Sequence, residues 1–173
     1  MTSSEVAFGA LLRPGDLVFV DSGAAEPVTL LHQLLRQRHR LPRVRLLLGY
    51  GFAGTIRPEH LDALDVTVLG GYGANADLVA AGAEVLPCRM ADLPALLRDE
   101  APRVDVVLLS CAPAAQDGTH SLGVTTDVVL QAAAGARAVV AEVVDQMPRT
   151  RGDAALRPSL ITASAHTSRP LPG

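Results

Sequence analysis

Ser121, Glu142 and Arg149 are the residues of this 173-residue chain whose setting points to chemistry. All three fall in one stretch, RVDVVLLSCAPAAQDGTHSLGVTTDVVLQAAAGARAVVAEVVDQMPRT, from Arg103 to Thr150. Glu142 lies inside an apolar run, Ala138 to Val144, where burial raises a carboxyl pKa and makes the group a candidate nucleophile. A hydrogen-bonded structural acid would equally occupy the same place. Ser121 has no Gly-x-Ser-x-Gly elbow, and His120 merely adjoins it in sequence, so serine-hydrolase chemistry is set aside. The amides of Ser121, Leu122 and Gly123 are instead expected to face an anion, as loop amides leading into a helix do. Arg149, in the turn Met147-Pro148-Arg149-Thr150, can offer a planar, bidentate guanidinium to a carboxylate.

These residues need a frame to hold them. Val104, Val106, Val107, Leu108 and Leu109 form a short, β-branched apolar run between Pro102 and Pro113, which reads as a buried strand. The loop that follows carries Asp117, Gly118, Thr119, Ser121 and Gly123. A helix opens at Thr125, Thr126 or Asp127 as N-cap and closes near Gly135, and the run from Ala138 to Val144 is a second buried strand. Such a βαβ unit places its loop at the carboxyl end of a parallel strand, where open α/β sheets bind ligands. The loop from Ser110 to Gly123 is therefore the leading site.

The rest of the chain repeats the alternation. Strands are expected over Leu17–Val20, Val44–Leu48, Val66–Leu69 and Glu84–Leu86, and helices over Val28–Arg40, Asn75–Ala81 and Ala91–Arg98, with a brief helical turn at Leu61–Leu64. Glu26 and Pro27 fit the first turn of a helix, where an acid suits the dipole. Three strand ends run into small-residue loops, around Gly23 and Ala24, Gly49 to Gly54, and Gly70 to Gly73, which suits close approach by a ligand. Nearly half of the residues are hydrophobic (49%), enough for one domain with its own core. The fold class is α/β, an open, largely parallel sheet with helices on both faces. A single domain over residues 1–173 is expected, ordered from about 8 to 165 and ending in a loose tail, 166–173.

Composition removes several functions. The formal net charge of -3 and 3% aromatic content argue against a nucleic-acid partner. All fifteen basic residues are arginine, so the chain has no lysine for a Walker-A loop or a PLP Schiff base. Gly49-Tyr-Gly-Phe-Ala-Gly54 is a literal GxGxxG, yet Pro58 interrupts any helix after it and Leu69 stands where an acidic residue belongs, so NAD is not expected. Cys88 and Cys111 fit no zinc or CxxC spacing, the histidines have no ligand spacing, and no metal site is expected. The basic group from Arg36 to Arg45 could meet phosphates; a solvated helix end is the simpler reading. No apolar run approaches a membrane span and no leader is visible, so a cytoplasmic protein with no membrane partner is expected.

Several segments, in order, are similar to one family. Arg13-Pro-Gly-Asp16, Gly23-Ala-Ala-Glu-Pro27, Val104 to Leu109, Gly118-Thr-His-Ser-Leu-Gly123, Ala141-Glu-Val143, and Gln146-Met-Pro-Arg-Thr150 with Gly152-Asp153 resemble the N-terminal domain of the acetyl-CoA hydrolase and 4-hydroxybutyrate CoA-transferase family. The Ser-Leu-Gly and Gln-Met-Pro-Arg-Thr segments are the most specific. The resemblance implies a CoA-transferase-like, Rossmann-like domain whose substrate is coenzyme A, with no metal, NAD or PLP. In that family a glutamate attacks the thioester, and both it and the main CoA site lie in a second, C-terminal domain. The resemblance therefore implies a subunit of a split CoA-transferase or acyl-CoA hydrolase, inactive alone and paired with a chain resembling that C-terminal domain. Its acyl-CoA or carboxylate substrate would meet Gly23, Ala24, Glu26, Gly51, Gly118, Ser121, Leu122, Gly123, Met147 and Arg149. Two departures matter: Ala112-Pro-Ala-Ala115 replaces Ser-Pro-Pro-Asp, and Val144 stands where the family favours Asn. Both remove polar groups, and they favour the alternative of a non-catalytic or repurposed domain that binds an acyl-CoA, an acyl carrier or a protein.

Overall fold

The computed structural model describes residues 5–89, 91–99, 103–125, 128–152 and 155–173. In chain order the elements are α1 (Phe8–Leu11), β1 (Leu17–Val20), α2 (Val28–Gln37), β2 (Arg45–Leu48), β3 (Asp65–Val68), α3 (Ala76–Ala80), β4 (Glu84–Val85), α4 (Leu93–Asp99), β5 (Val106–Cys111), β6 (His120–Ser121), α5 (Val129–Gly135), β7 (Ala138–Val144), β8 (Ala155–Leu156) and β9 (Ala163–Thr167). Seven strands form one sheet in the order β4-β3-β2-β1-β5-β7-β9, and every pairing in it is parallel. The chain winds outward from β1 to β4, then returns to β1's other side with β5. The switch point between β1 and β5 is where such sheets open a crevice at their carboxyl ends.

Alternation along the strands builds two cores. Val18, Val20, Leu46, Leu48, Val106, Leu108 and Val140 point to one face and meet Phe8, Leu30, Leu31, Leu34 and Leu78 from α1, α2 and α3. Leu17, Phe19, Leu47, Val107, Leu109, Val139 and Ala141 point to the other and meet Leu93, Val129, Ala132 and Ala133 from α4 and α5. Helices thus cover both faces, and strands buried on both sides read as unbroken apolar runs. The expected α/β architecture is the one observed.

Local differences have physical reasons. The turn expected at Leu61–Leu64 is a 3-10 helix over Pro58–Asp62, started by a proline that needs no amide partner. Helix α2 begins at Val28, so Glu26 stands before it, outside its first turn. Thr126 and Asp127, two of the three N-cap candidates, lie outside the described residues, as do Pro102 and Asp153. Thr125, the third, donates to Asp21 Oδ1 at 3.1 Å. The C-terminal stretch is built in: β9 pairs with β7 from Val140↔Ala163 to Val144↔Thr167, and Arg169 is anchored beyond it, so the loose tail expected from 166 is corrected. Ala163-Ser-Ala-His-Thr167 escapes notice because only Ala165 of it is fully buried, as an edge strand allows. Among the described residues no helix is long and apolar enough to cross a membrane.

Candidate functional site

The carboxyl ends of β1, β2 and β3 release three glycine loops, and hydrogen bonds lace them together. Gly23, at φ 62°, donates its amide to the Tyr50 carbonyl at 2.6 Å and forms a parallel bridge with Gly51. Glu26, 5% exposed, turns Oε2 to the amides of Phe52 (3.1 Å) and Ala53 (3.0 Å). A Cβ on Gly51 would sit 3.4 Å from that oxygen, so the bare glycine lets carboxylate and loop come together. Asn75 completes the lacing, donating Nδ2 to the carbonyls of Gly49 (3.0 Å) and Gly70 (3.2 Å). Between the loops lies a cavity of about 20 Å³ with Asp21, Ser22, Glu26, Thr55 and Asn75 in its walls. That is room for about one water molecule beside polar partners.

Glu142 takes up the work expected of Glu26. Its Oε2 accepts from the amides of Thr29 (2.8 Å) and Leu30 (3.0 Å) at the start of α2, where an acid satisfies orphan donors and the positive helix end. No side chain of α2's own N-cap does so. The other oxygen, Oε1, accepts from Arg169 Nε at 2.7 Å, and Arg169 Nη2 reaches the Glu26 carbonyl at 2.8 Å. Glu142 is fully buried. Both of its oxygens are engaged and neither is open to a substrate carbonyl, which is the arrangement of a structural acid.

A second knot ties the Ser-Leu-Gly loop to the Met-Pro-Arg-Thr turn. Ser121 Oγ accepts from the amides of Gly123 (3.2 Å) and Thr150 (3.1 Å), and Thr150 Oγ1 donates to the Gly123 carbonyl at 3.1 Å. The Gly123 amide therefore points inward, at Ser121, where the sequence suggested an outward anion contact. Leu122 is fully buried in the core under α4 and α5. Gly118 sits in a turn whose amide bonds Ala115, beside Asp117, whose carboxylate takes the Thr119 amide and hydroxyl and is held below the usual carboxylate range by those bonds. Arg149 is exposed, with Nη1 donating to the Pro113 carbonyl at 2.9 Å. It braces the loop and keeps its remaining donors toward solvent.

Ala112, the first residue of one departure, and Val144, the other, meet in space. Ala112 and Val144 pack with Ala25 and Met147, all buried, and Leu171 leans on the group. Together they make an apolar plug, with Leu171 of the C-terminal segment against it. Ser110 Oγ, buried on β5 directly opposite Glu142 in the ladder, has no hydrogen-bond partner among the described residues. Burial pushes the neighbouring Cys111 thiol up to about 12, with the nearby Glu142 charge adding to it.

Of the residues singled out in the sequence, Gly23, Ala24, Glu26 and Gly51 share the laced edge, while Ser121, Gly123, Met147 and Arg149 form the second knot. Thr125 to Asp21 is the bond that joins them. Sequence reasoning missed Asn75 and Arg169. Asn75 follows a glycine loop, a setting that favours a side chain bonding nearby carbonyls; Arg169 has no sequence signal beyond its charge. Among the described residues no group of three or more His, Cys, Asp or Glu could hold a metal ion.

Residues 85–160 match the acetyl-CoA hydrolase/transferase N-terminal domain. The chain is 36% identical over 179 residues to a 4-hydroxybutyrate coenzyme A transferase of Clostridium kluyveri, covering 99% of this chain and 40% of that protein. It is 27% identical over 176 residues to a succinyl-CoA:acetate/propanoyl-CoA:succinate CoA transferase of Fasciola hepatica, covering 98% of this chain and 36% of that one. Among solved structures, RipA from Yersinia pestis superposes with a TM-score of 0.86 at 25% identity, over 94% of this chain and 41% of its own. A 4-hydroxybutyrate CoA-transferase from Porphyromonas gingivalis gives 0.74 at 25% identity, over 98% and 40%. The chain thus spans about two fifths of the length of the relatives it matches.

Proposed function

From the match of residues 85–160 to the acetyl-CoA hydrolase/transferase N-terminal domain, we propose that this chain is a member of that family and orients the acid or acyl group in a CoA-transferase or acyl-CoA hydrolase. Coenzyme A is the thiol carrier, and a partner chain resembling the family's C-terminal domain supplies the catalytic glutamate and the main CoA site. The observation that carries this reading is the state of Glu142. Its two oxygens are taken by α2 amides and by Arg169, and Glu26 Oε2 is taken by the Phe52 and Ala53 amides. Neither acid is free to attack a thioester, so the nucleophile comes from outside these residues. What the chain contributes is positioning: the hydrogen-bonded glycine edge around Gly23, Ala24 and Gly51, together with Arg149 of the second knot.

The apolar plug of Ala112, Val144, Met147 and Leu171 favours a second reading, a non-catalytic or repurposed domain that binds an acyl-CoA, an acyl carrier or a protein. Purification from the native host, followed by native mass measurement and an assay of CoA exchange between an acyl-CoA and a free acid, separates the two. The first reading expects a complex that turns over and an isolated chain that does not. Full turnover by the isolated chain rejects it, and a complex that binds acyl-CoA without turnover selects the second.

A further inference from the structure

A groove of about 550 Å³ lies between α2 and the segment Ala53–His60 and meets the laced edge at Ala53 and Thr55. His32 and Arg36, one turn apart on the exposed flank of α2, form one wall. Arg57 and His60 form the other. Several other arginines are paired with acids: Arg38 with Asp62, Arg43 with Asp65, Arg89 with Asp92, Arg137 with Asp16 and Arg169 with Glu142. The guanidinium groups of Arg36 and Arg57 have no carboxylate partner among the described residues. Glu59 is the one acid that lines the groove. In a chain of net charge -3 this is a local reversal of sign.

The histidine adds direction. His60 Nδ1 accepts the Arg57 amide at 3.0 Å, so the neutral ring carries its proton on Nε2 and presents a donor. Burial lowers the His60 pKa, which keeps the ring neutral near pH 7. We propose that this groove binds the phosphate end of a small phosphorylated molecule, with Arg36 and Arg57 as opposed charged clamps and His60 as a hydrogen-bond donor. Two unpaired guanidinium groups match the roughly two negative charges of a phosphomonoester or a pyrophosphate, and their planar donors suit its oxygens. A small carboxylic acid would leave one of them unanswered. The groove uses none of the residues that orient the acyl group, so it stands whether or not the function proposed above does.

The test is calorimetric titration with inorganic pyrophosphate at low ionic strength, with acetate as the singly charged comparison. Pyrophosphate is expected to bind, and Arg36→Ala and Arg57→Ala each to weaken it about tenfold or more, the scale of a charge-assisted contact. Arg40→Ala, just beyond α2 and outside the groove, is expected to leave it unchanged. Thermal melting of each variant checks that it is folded. Pyrophosphate binding that CoA displaces assigns the phosphate to CoA; binding that CoA leaves intact assigns it to another phosphorylated molecule. No pyrophosphate binding, acetate binding of equal strength, or an equal loss in Arg40→Ala overturns the site.

Discussion

Arg169 Nε donates to Glu142 Oε1 at 2.7 Å, joining the segment after the edge strand to the middle of β7. The carboxylate is fully buried and the arginine side chain only 15% exposed, so neither charge can turn to water if the other is lost. Removing one partner of such a pair costs about 3–5 kcal/mol. Glu142→Gln and Arg169→Ala should each lower the unfolding free energy measured in urea by that much, and the double variant by less than their sum. Turnover of a Glu142→Gln assembly, scaled to folded protein, should be retained. A well-folded variant with abolished turnover would restore Glu142 as the nucleophile.

Glu26 satisfies two amides of the second glycine loop. Glu26→Ala should cost about 1–3 kcal/mol by stranding those donors, and hydrogen exchange at Phe52 and Ala53 should quicken. Glu26→Gln keeps one acceptor oxygen and should cost less.

Gly123 combines φ 68° with a close approach to Met147. Gly123→Ala pays about 1–2 kcal/mol for the left-handed backbone and about 1–3 kcal/mol more for crowding. Shortening Met147 to Ala in the same protein relieves most of the second part, leaving the Pro148 carbonyl 3.0 Å from the new Cβ. The melting temperature of the double variant should therefore exceed the value obtained by adding the two single losses.

Cys111 sets a pH dependence. Its folded thiol ionises at about 12, against 9.0 for the free group. Above pH 9 the unfolded chain releases this proton while the folded one keeps it, so the unfolded state binds fewer protons and stability falls as pH rises. The loss is about 1.4 kcal/mol per pH unit at most. Urea midpoints measured from pH 7 to pH 10 should fall further for the parent chain than for Cys111→Ala. At neutral pH iodoacetamide should label the half-buried Cys88 and spare Cys111.

The α/β class was legible because β5 and β7, buried on both faces, leave continuous apolar runs that few other folds produce. The three glycine loops were legible for the same kind of reason: a backbone edge that must come close spells itself in glycine. Glu142 stood out as an acid among Val and Ala. What it does there was hidden, since its partners Thr29, Leu30 and Arg169 are 113, 112 and 27 residues away. The misassignment of Glu26 has the same origin. Proximity to a helix start suggested capping, but folding turned its carboxylate to a neighbouring loop. Edge strand β9 stayed hidden because small and polar residues at a sheet edge carry little periodic signal.

The bonds from Glu142 to the start of α2 also bear on the order in which the domain can form. A ribosome adding about 5–20 residues per second makes Thr29 and Leu30 on the order of ten seconds before it makes the carboxylate that accepts their amides. Until then the second helix has an uncapped, positively polarised end, and Arg169 comes later still. Contacts of such long sequence separation slow folding. They also make completion of the first crossover depend on the last strands, so the early βα unit is finished only when nearly the whole stretch of 173 residues has been synthesised.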